Sequence, residues 1–307
     1  ANVVTILDGI REIAGSAKVN YYNYGDDVRQ NSMDKVNEAA AIAKKSDLAI
    51  VVVGENPLRY QKSKTCGENI DRIGLDLLGT QNQLVQKIHE TGVPTIVVLV
   101  GGRPLSVNWI AQNVQALVQA WEPGALGGRA LANILAGKVN PSAKLPISIP
   151  RHSGQIQMIY NHKPSQYFHK YIDGPSTPLY PFGFGLSYTR FAYSSLKLSH
   201  TRISDKDSFT ASIELTNVGD REGTEVVQLY IRDIYSSATR PVKELKDFAR
   251  VTLKPGEKKT VTFTVTPDKL AYWNRNMQYG VEKGEFEIMI GSSSQDKDLK
   301  KVKMEVL

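Results

Sequence analysis

The feature that most constrains the fold is a set of three short apolar runs in the first half of the chain. They cover residues 48–55, 95–100 and 116–121, and segments with helical periodicity separate them at 34–46, 81–91 and 127–136. Strands that are buried on both faces of a parallel sheet have continuous apolar sequences, and helices connect one such strand to the next. The pattern therefore predicts βαβ units with right-handed crossovers on a mainly parallel sheet, an α/β sandwich.

The second half of the chain has a different period. After a proline-rich path beyond residue 138, polar and apolar residues alternate at 208–216, 224–232, 259–266 and 285–290, with turn residues between these segments. Several short alternating strands within about 100 residues are typical of an immunoglobulin- or fibronectin-like sandwich. We therefore predict an α/β domain over residues 1–150, a linker rich in proline, glycine and aromatic residues over 151–190, and an all-β domain over 191–307.

A polar loop with two acidic residues follows the first predicted strand. Glu55 stands at the strand end, and Glu68 lies further along the loop after Gly67, a residue that permits unusual backbone geometry. Ligands of open α/β sheets bind beyond the carboxyl ends of the strands, where an acid is well placed for proton transfer. Most loop acids are simply solvated, so the spacing alone leaves the role of both residues open. Asp71 is predicted to pair with its neighbour Arg72.

Composition and motifs exclude several other functions. The 38 basic residues exceed the 31 acidic ones, but they are scattered, so no basic face with stacking aromatics indicates nucleic-acid binding. No apolar run approaches the ~20 residues of a membrane span. The strands lack the glycine fingerprints of phosphate-binding loops, although the helix that begins near Gly127 could hold an anion. The histidines show no metal-ligand spacing, and no cofactor is predicted. Cys66, the single cysteine, has no histidine nearby in the sequence to activate it.

Several sequence blocks resemble family 3 glycoside hydrolases, in family order and over essentially the whole chain. They are Gly54-Glu55, Gly101-Gly102-Arg103-Pro104-Leu105, Ala120-Trp121-Glu122-Pro123-Gly124 with Gly127-Gly128, the block at 137–146, Gly154-Gln155 before Tyr160-Asn161-His162, the block at 178–188 and the block at 240–248. The resemblance is to the C-terminal portion of the β-glucosidase type found in the periplasm of Gram-negative bacteria. The chain begins without methionine and reads as a piece of a longer protein.

The resemblance implies three domains: a (β/α)8-type barrel that is missing from this chain, an α/β sandwich and a fibronectin-III-like domain. It implies a retaining exo-β-glucosidase acting on oligosaccharides or β-glucosides, with its nucleophilic aspartate on the barrel. By position Glu68 resembles the general acid/base, with Glu55 as second choice, and Arg59 and Tyr60 are candidates for substrate contacts. A β-xylosidase and a non-catalytic sugar-binding or scaffold module are the alternatives. The resemblance further implies a periplasmic or secreted location and allows a homodimer.

Overall fold

The computed structural model of the chain describes residues 3–57, 62–165 and 171–307. The chain divides into two compact units. The first comprises Ala1–Val139 and Ile149–Ile156, and the second comprises Asn140–Ser148 and Gln157–Leu307. The segment predicted as a linker is thus shared between the two units, and the domain boundaries at residues 150 and 190 stay a prediction.

The first unit is built on a parallel sheet with helical connections. Its described strands are hydrogen-bonded in the order β1 (Ala49–Gly54), β2 (Thr95–Val100) and β3 (Ala116–Trp121). The helices are α1 (Ile6–Ile13), α2 (Met33–Ala43), α3 (Gln81–His89), α4 (Asn108–Asn113) and α5 (Gly127–Leu135). The predicted parallel α/β architecture is confirmed. Helices α1 and α4 were not predicted; both are short, and tertiary packing rather than length stabilises helices of this size.

Helix α1 packs closely on α5 through glycines. A Cβ atom on Gly9 would lie 2.2 Å from the Gly128 carbonyl oxygen, and one on Gly128 would lie 2.0 Å from the Thr5 carbonyl oxygen. The backbone N–H of Gly128 donates to the Val4 carbonyl at 3.3 Å. Because main chain occupies this helix start, the glycines serve helix packing, and the anion site considered near Gly127 has no support here.

The second unit contains two larger sheets. Its strands are β4 (Phe191–Tyr193), β5 (Lys197–Leu198), β6 (Arg202–Ile203), β7 (Phe209–Asn217), β8 (Gly223–Asp233), β9 (Glu244–Leu253), β10 (Lys258–Val265), β11 (Tyr272–Trp273), β12 (Tyr279–Gly280), β13 (Gly284–Gly291) and β14 (Leu299–Val306), with helix α6 (Pro267–Leu270). One sheet has the order β10-β7-β4, with β5 also on β7, and the other has the order β6-β14-β13-β8-β9. Their strand pairs are antiparallel except that β6 runs parallel to β14. Strands β11 and β12 form a separate hairpin.

The core of the second unit lies between inward-facing side chains of the two sheets, such as Ile213 and Leu215 on β7 and Leu229 on β8. Predicted strands 208–216, 224–232, 259–266 and 285–290 match β7, β8, β10 and β13, so the sandwich is confirmed. Strands β9 and β14 were not predicted. In β14, Lys300, Lys301 and Lys303 are exposed, whereas Met304 and Val306 near its end are buried.

No helix among the described residues combines the length and apolar character needed to cross a bilayer. No group of three or more potential metal-ligating side chains occurs within the described part of the chain.

Candidate active site

The carboxyl end of β1 is fixed by a glycine in a backbone conformation that other residues avoid. Gly54 has φ +145°, and a Cβ atom there would lie 1.8 Å from the Val100 carbonyl oxygen on β2. The buried Gln81 side chain accepts from the Gly54 N–H at 2.7 Å and donates to its carbonyl at 3.0 Å. The strand end is therefore held on both sides, so the direction in which Glu55 leaves it is fixed.

Glu55 is a buried carboxylate that is paired with two arginines. Its residue exposure is 7%, and Arg72 Nη1 donates to its Oε1 at 2.7 Å. Arg103 donates from Nε to Oε2 at 3.1 Å and from Nη2 to Oε1 at 3.0 Å. Burial raises the pKa of Glu55, but the hydrogen bonds from Arg103 and Arg72 outweigh it and hold the pKa below its usual range. Glu55 therefore carries its charge at neutral pH and is poorly suited to donate a proton.

The loop beyond Glu55 is closed at its neck by main-chain and side-chain hydrogen bonds. The Thr65 N–H donates to the Asn56 carbonyl at 2.8 Å, and the Asn56 N–H donates to Thr65 Oγ1 at 2.9 Å. The Asn56 amide also donates to Ser63 Oγ at 3.0 Å. These bonds place residue 65 back beside the strand end. Arg59 and Tyr60, the candidate substrate contacts, lie outside the described residues.

Glu68 stands on a tight turn that follows this neck. The Ile70 N–H donates to the Gly67 carbonyl at 3.0 Å, and Asn69 occupies the left-handed region at φ +64°. Asparagine tolerates that conformation better than most residues, and it is favoured at the third position of such turns. Lys64 Nζ donates to the Glu68 carbonyl oxygen, which adds a further contact that holds the turn. Glu68 is exposed, so its carboxyl group is accessible to a substrate.

The residues around the turn differ from expectation in one respect. Asp71 was predicted to pair with the Arg72 side chain, but its Oδ1 pairs with Arg103 Nη1 at 2.8 Å. The physical reason is that the Arg72 guanidinium points to the buried Glu55 carboxylate, which gains more from a paired positive charge than the exposed Asp71 carboxylate does. Arg103 and Arg72 are the residues that sequence reasoning missed, although Arg103 lay within a recognised sequence block.

Cys66 is buried beside Glu55. Burial, together with the nearby Glu55 carboxylate, raises the pKa of the Cys66 thiol above its usual value. A thiol that stays protonated is a poor nucleophile, which agrees with the weak case made for it from the sequence. Of the two candidate acids, Glu68 thus offers an accessible carboxyl group, whereas Glu55 belongs to a network of ion pairs.

The described elements define a general class of architecture. The class is a two-part architecture, in which a parallel α/β unit with an acidic loop at its strand ends is followed along the chain by an all-β sandwich. Residues 1–188 match the glycosyl hydrolase family 3 C-terminal domain, and residues 225–294 match the fibronectin type III-like domain. The chain therefore belongs to glycoside hydrolase family 3, of which it carries the C-terminal portion.

Curated relatives are longer than this chain. A β-xylosidase of Formosa agariphila is 45% identical over 307 residues, which is 99% of this chain and 42% of the relative. A periplasmic β-glucosidase of Salmonella typhimurium is 41% identical over 84% of this chain and 34% of its own length. The chain thus spans less than half the length of these relatives.

Solved structures support the same fold. A β-glucosidase from Erythrobacter marinus has a TM-score of 0.89 at 34% identity and covers 100% of this chain and 44% of its own. A β-glucosidase from Listeria innocua, solved in complex with glucose, has a TM-score of 0.88 at 32% identity, over 99% of this chain and 42% of its own. These two relatives and two solved structures are thus named as three β-glucosidases and one β-xylosidase.

Proposed function

We propose that this chain supplies the general acid/base, Glu68, of a retaining exo-β-glucosidase whose nucleophilic aspartate lies on a barrel domain preceding it. The observation that carries this assignment is the contrast between the two candidate acids. Glu68 is exposed on a turn beyond the end of β1, whereas Glu55 is enclosed by two arginines. Only the former is accessible to a glycosidic oxygen.

The chemistry needs two carboxyl groups about 5–5.5 Å apart. The aspartate attacks the anomeric carbon while Glu68 gives its proton to the leaving oxygen, so one C–O bond forms as the other breaks. Glu68, now ionised, then takes a proton from water, and the resulting C–O bond to water releases the aspartate.

The experiment uses the full-length protein that contains this chain. Glu68→Ala should lower kcat/KM for alkyl β-glucosides by about 10²–10⁴-fold, the usual contribution of a general acid or base. The dinitrophenolate leaving group needs little protonation, so the first step with a dinitrophenyl glucoside should be less affected. Added azide should restore turnover of this substrate, with glucosyl azide as the product. Glu90→Ala, which removes another exposed glutamate, is the control. Unchanged activity of Glu68→Ala would instead favour a non-catalytic sugar-binding or scaffold role.

A β-xylosidase activity is a second candidate, favoured by the name of the 45% identical relative. Comparison of kcat/KM for matched nitrophenyl β-glucosides and β-xylosides with the full-length protein decides between the two sugars.

We also propose a periplasmic or secreted location, which rests on the name of the Salmonella relative. Fractionation of the source cells tests it. A homodimer stays a prediction that sedimentation of the full-length protein would test.

A further inference from the structure

Arg103 uses every N–H group of its side chain. Nε and Nη2 donate to the two oxygens of Glu55, at 3.1 and 3.0 Å. Nη2 also donates to the Gly74 carbonyl at 3.0 Å. Nη1 donates to Asp71 Oδ1 at 2.8 Å and to the Arg72 carbonyl at 3.2 Å. A guanidinium group has five N–H donors in a fixed planar fork, and all five have acceptors here.

These acceptors belong to separate parts of the site. Arg103 itself follows β2, Glu55 follows the neighbouring strand β1, and the remaining three acceptors lie on the loop at residues 71–74. One side chain therefore joins two strand ends to the loop that carries Glu68. Arg72 adds a second anchor, because its Nη2 donates to the Asp76 carbonyl at 2.6 Å.

The turn with Glu68 is consequently held on both sides. Before it, residue 65 is hydrogen-bonded to residue 56; after it, the loop is fixed from residue 71 onwards. Only residues 66–70 lie between the two anchors. A short segment with fixed ends has few conformations, so the anchors limit where the Glu68 carboxyl group can be.

We propose that Arg103 is a positioning residue for the general acid/base, acting through the loop at 71–74 and the buried charge of Glu55. This inference rests on the proposed function of Glu68. Displacement of a catalytic group by about 1 Å can cost about 10²-fold in rate, so an anchor that fixes the loop also affects proton transfer. Lysine keeps the charge but offers a point donor in place of the fork, so it cannot hold Glu55 and the loop together.

The test measures leaving-group selectivity in the full-length protein. Selectivity is the ratio of kcat/KM for a dinitrophenyl β-glucoside to that for an alkyl β-glucoside, and it rises when acid catalysis is lost. Arg103→Lys should raise this ratio by about 10- to 100-fold. A purely structural role would lower the fraction of folded enzyme, which reduces both rates equally and leaves the ratio unchanged. Arg129→Lys is the matched control, because Arg129 forms an exposed two-point pair with Glu12, at 2.8 Å for each contact.

Asp71→Asn is a second variant that keeps the test decisive if Arg103→Lys unfolds. Asp71 is 79% exposed in its side chain, so its loss should hardly change the melting temperature. We expect the ratio to rise about threefold or more in Asp71→Asn, a smaller effect because four contacts of Arg103 remain. The positioning role alone would be overturned if Asp71→Asn and every folded Arg103 variant had the wild-type ratio while Glu68→Ala had a strongly raised ratio. A wild-type ratio in Glu68→Ala would overturn the proposed function instead.

Discussion

Two buried carboxyl groups, one in each unit, are almost equally removed from water but have opposite pKa shifts. Glu55 follows β1 and is 7% exposed, and Asp233 ends β8 and is 8% exposed. Direct hydrogen bonds from Arg103 and Arg72 lower the pKa of Glu55 in spite of burial. Burial raises the pKa of Asp233 to about 6, with the charges of Glu282 and Glu244 adding to the rise against the attraction of Arg240.

The difference lies in the donors that reach each group. Both oxygens of Glu55 accept hydrogen bonds from a guanidinium group, whereas Asp233 Oδ2 finds no donor among the described residues. Burial determines how costly a charge is, and direct donors determine whether the charged form persists. The direct donors thus keep Glu55 ionised, which agrees with the proposal that Glu68 is the proton donor.

The largest expected effect is the loss of the Glu55 charge. Glu55→Gln leaves Arg72 and Arg103 facing each other in a poorly solvated site, and breaking such a pair costs about 3–5 kcal/mol. Urea denaturation of this chain at pH 7 measures it. Glu12→Gln, at the exposed pair with Arg129, is the control and should cost less than about 1 kcal/mol. A loss for Glu55→Gln as small as that of the control would contradict the comparison.

Replacement of Asp233 should have the opposite sign. The folded-state pKa is raised, so the stability associated with protonation is present below about pH 4 and is lost as the pH rises through about 6. Asp233→Asn should therefore stabilise the chain by about 1–3 kcal/mol at pH 7.5 and change little at pH 4. Denaturation at both pH values measures the gain, with the exposed Asp205→Asn as control. A destabilised Asp233→Asn at pH 7.5 would show that the charge is better compensated than its contacts indicate.

A smaller effect is expected at acidic pH. Because the folded-state pKa of Glu55 is lowered, its contribution is present above its unfolded pKa of about 4.3 and is lost as the pH falls through the folded value. The stability gap between the wild type and Glu55→Gln should therefore narrow below about pH 4.5. Denaturation curves from pH 7 down to the acid limit of folding test this, and a gap of constant size would contradict the assigned charge state.

The smallest stability effect is expected at Glu68. Its side chain is exposed on the turn, so Glu68→Gln should change the free energy of unfolding of this chain by no more than about 0.5 kcal/mol. Urea denaturation beside Glu55→Gln provides the direct contrast. A loss above about 1 kcal/mol would mean that Glu68 supports the loop and would weaken its assignment to catalysis.

Much of the fold could be predicted because its periodicity is local. The apolar runs at 95–100 and 116–121 coincide with β2 and β3, and the alternation at 208–216 coincides with β7 to within one residue. Prediction failed where a strand carries a charged face. Three lysines in the first five residues of β14 interrupt the alternation, because the adjacent Lys300 and Lys301 are both exposed.

The site could be predicted only in part. Both acids were found from their place after an apolar strand, and the resemblance to the family favoured Glu68. The partners of Glu55 are 17 and 48 residues away along the chain, and nothing in the local sequence distinguishes a carboxylate with two arginines from one with none. For the same reason Asp71 was assigned to its sequence neighbour rather than to Arg103.

The sequence by itself determined the two architectures, the family and the pair of acids that could serve it, because periodicity and motif order are properties of neighbouring residues. Only the tertiary structure separated the environments of those acids. It brought Arg72 and Arg103 onto Glu55 and left Glu68 on an exposed turn. Charge state depends on burial and on donors that fold in from distant positions, and these exist only once the chain has packed.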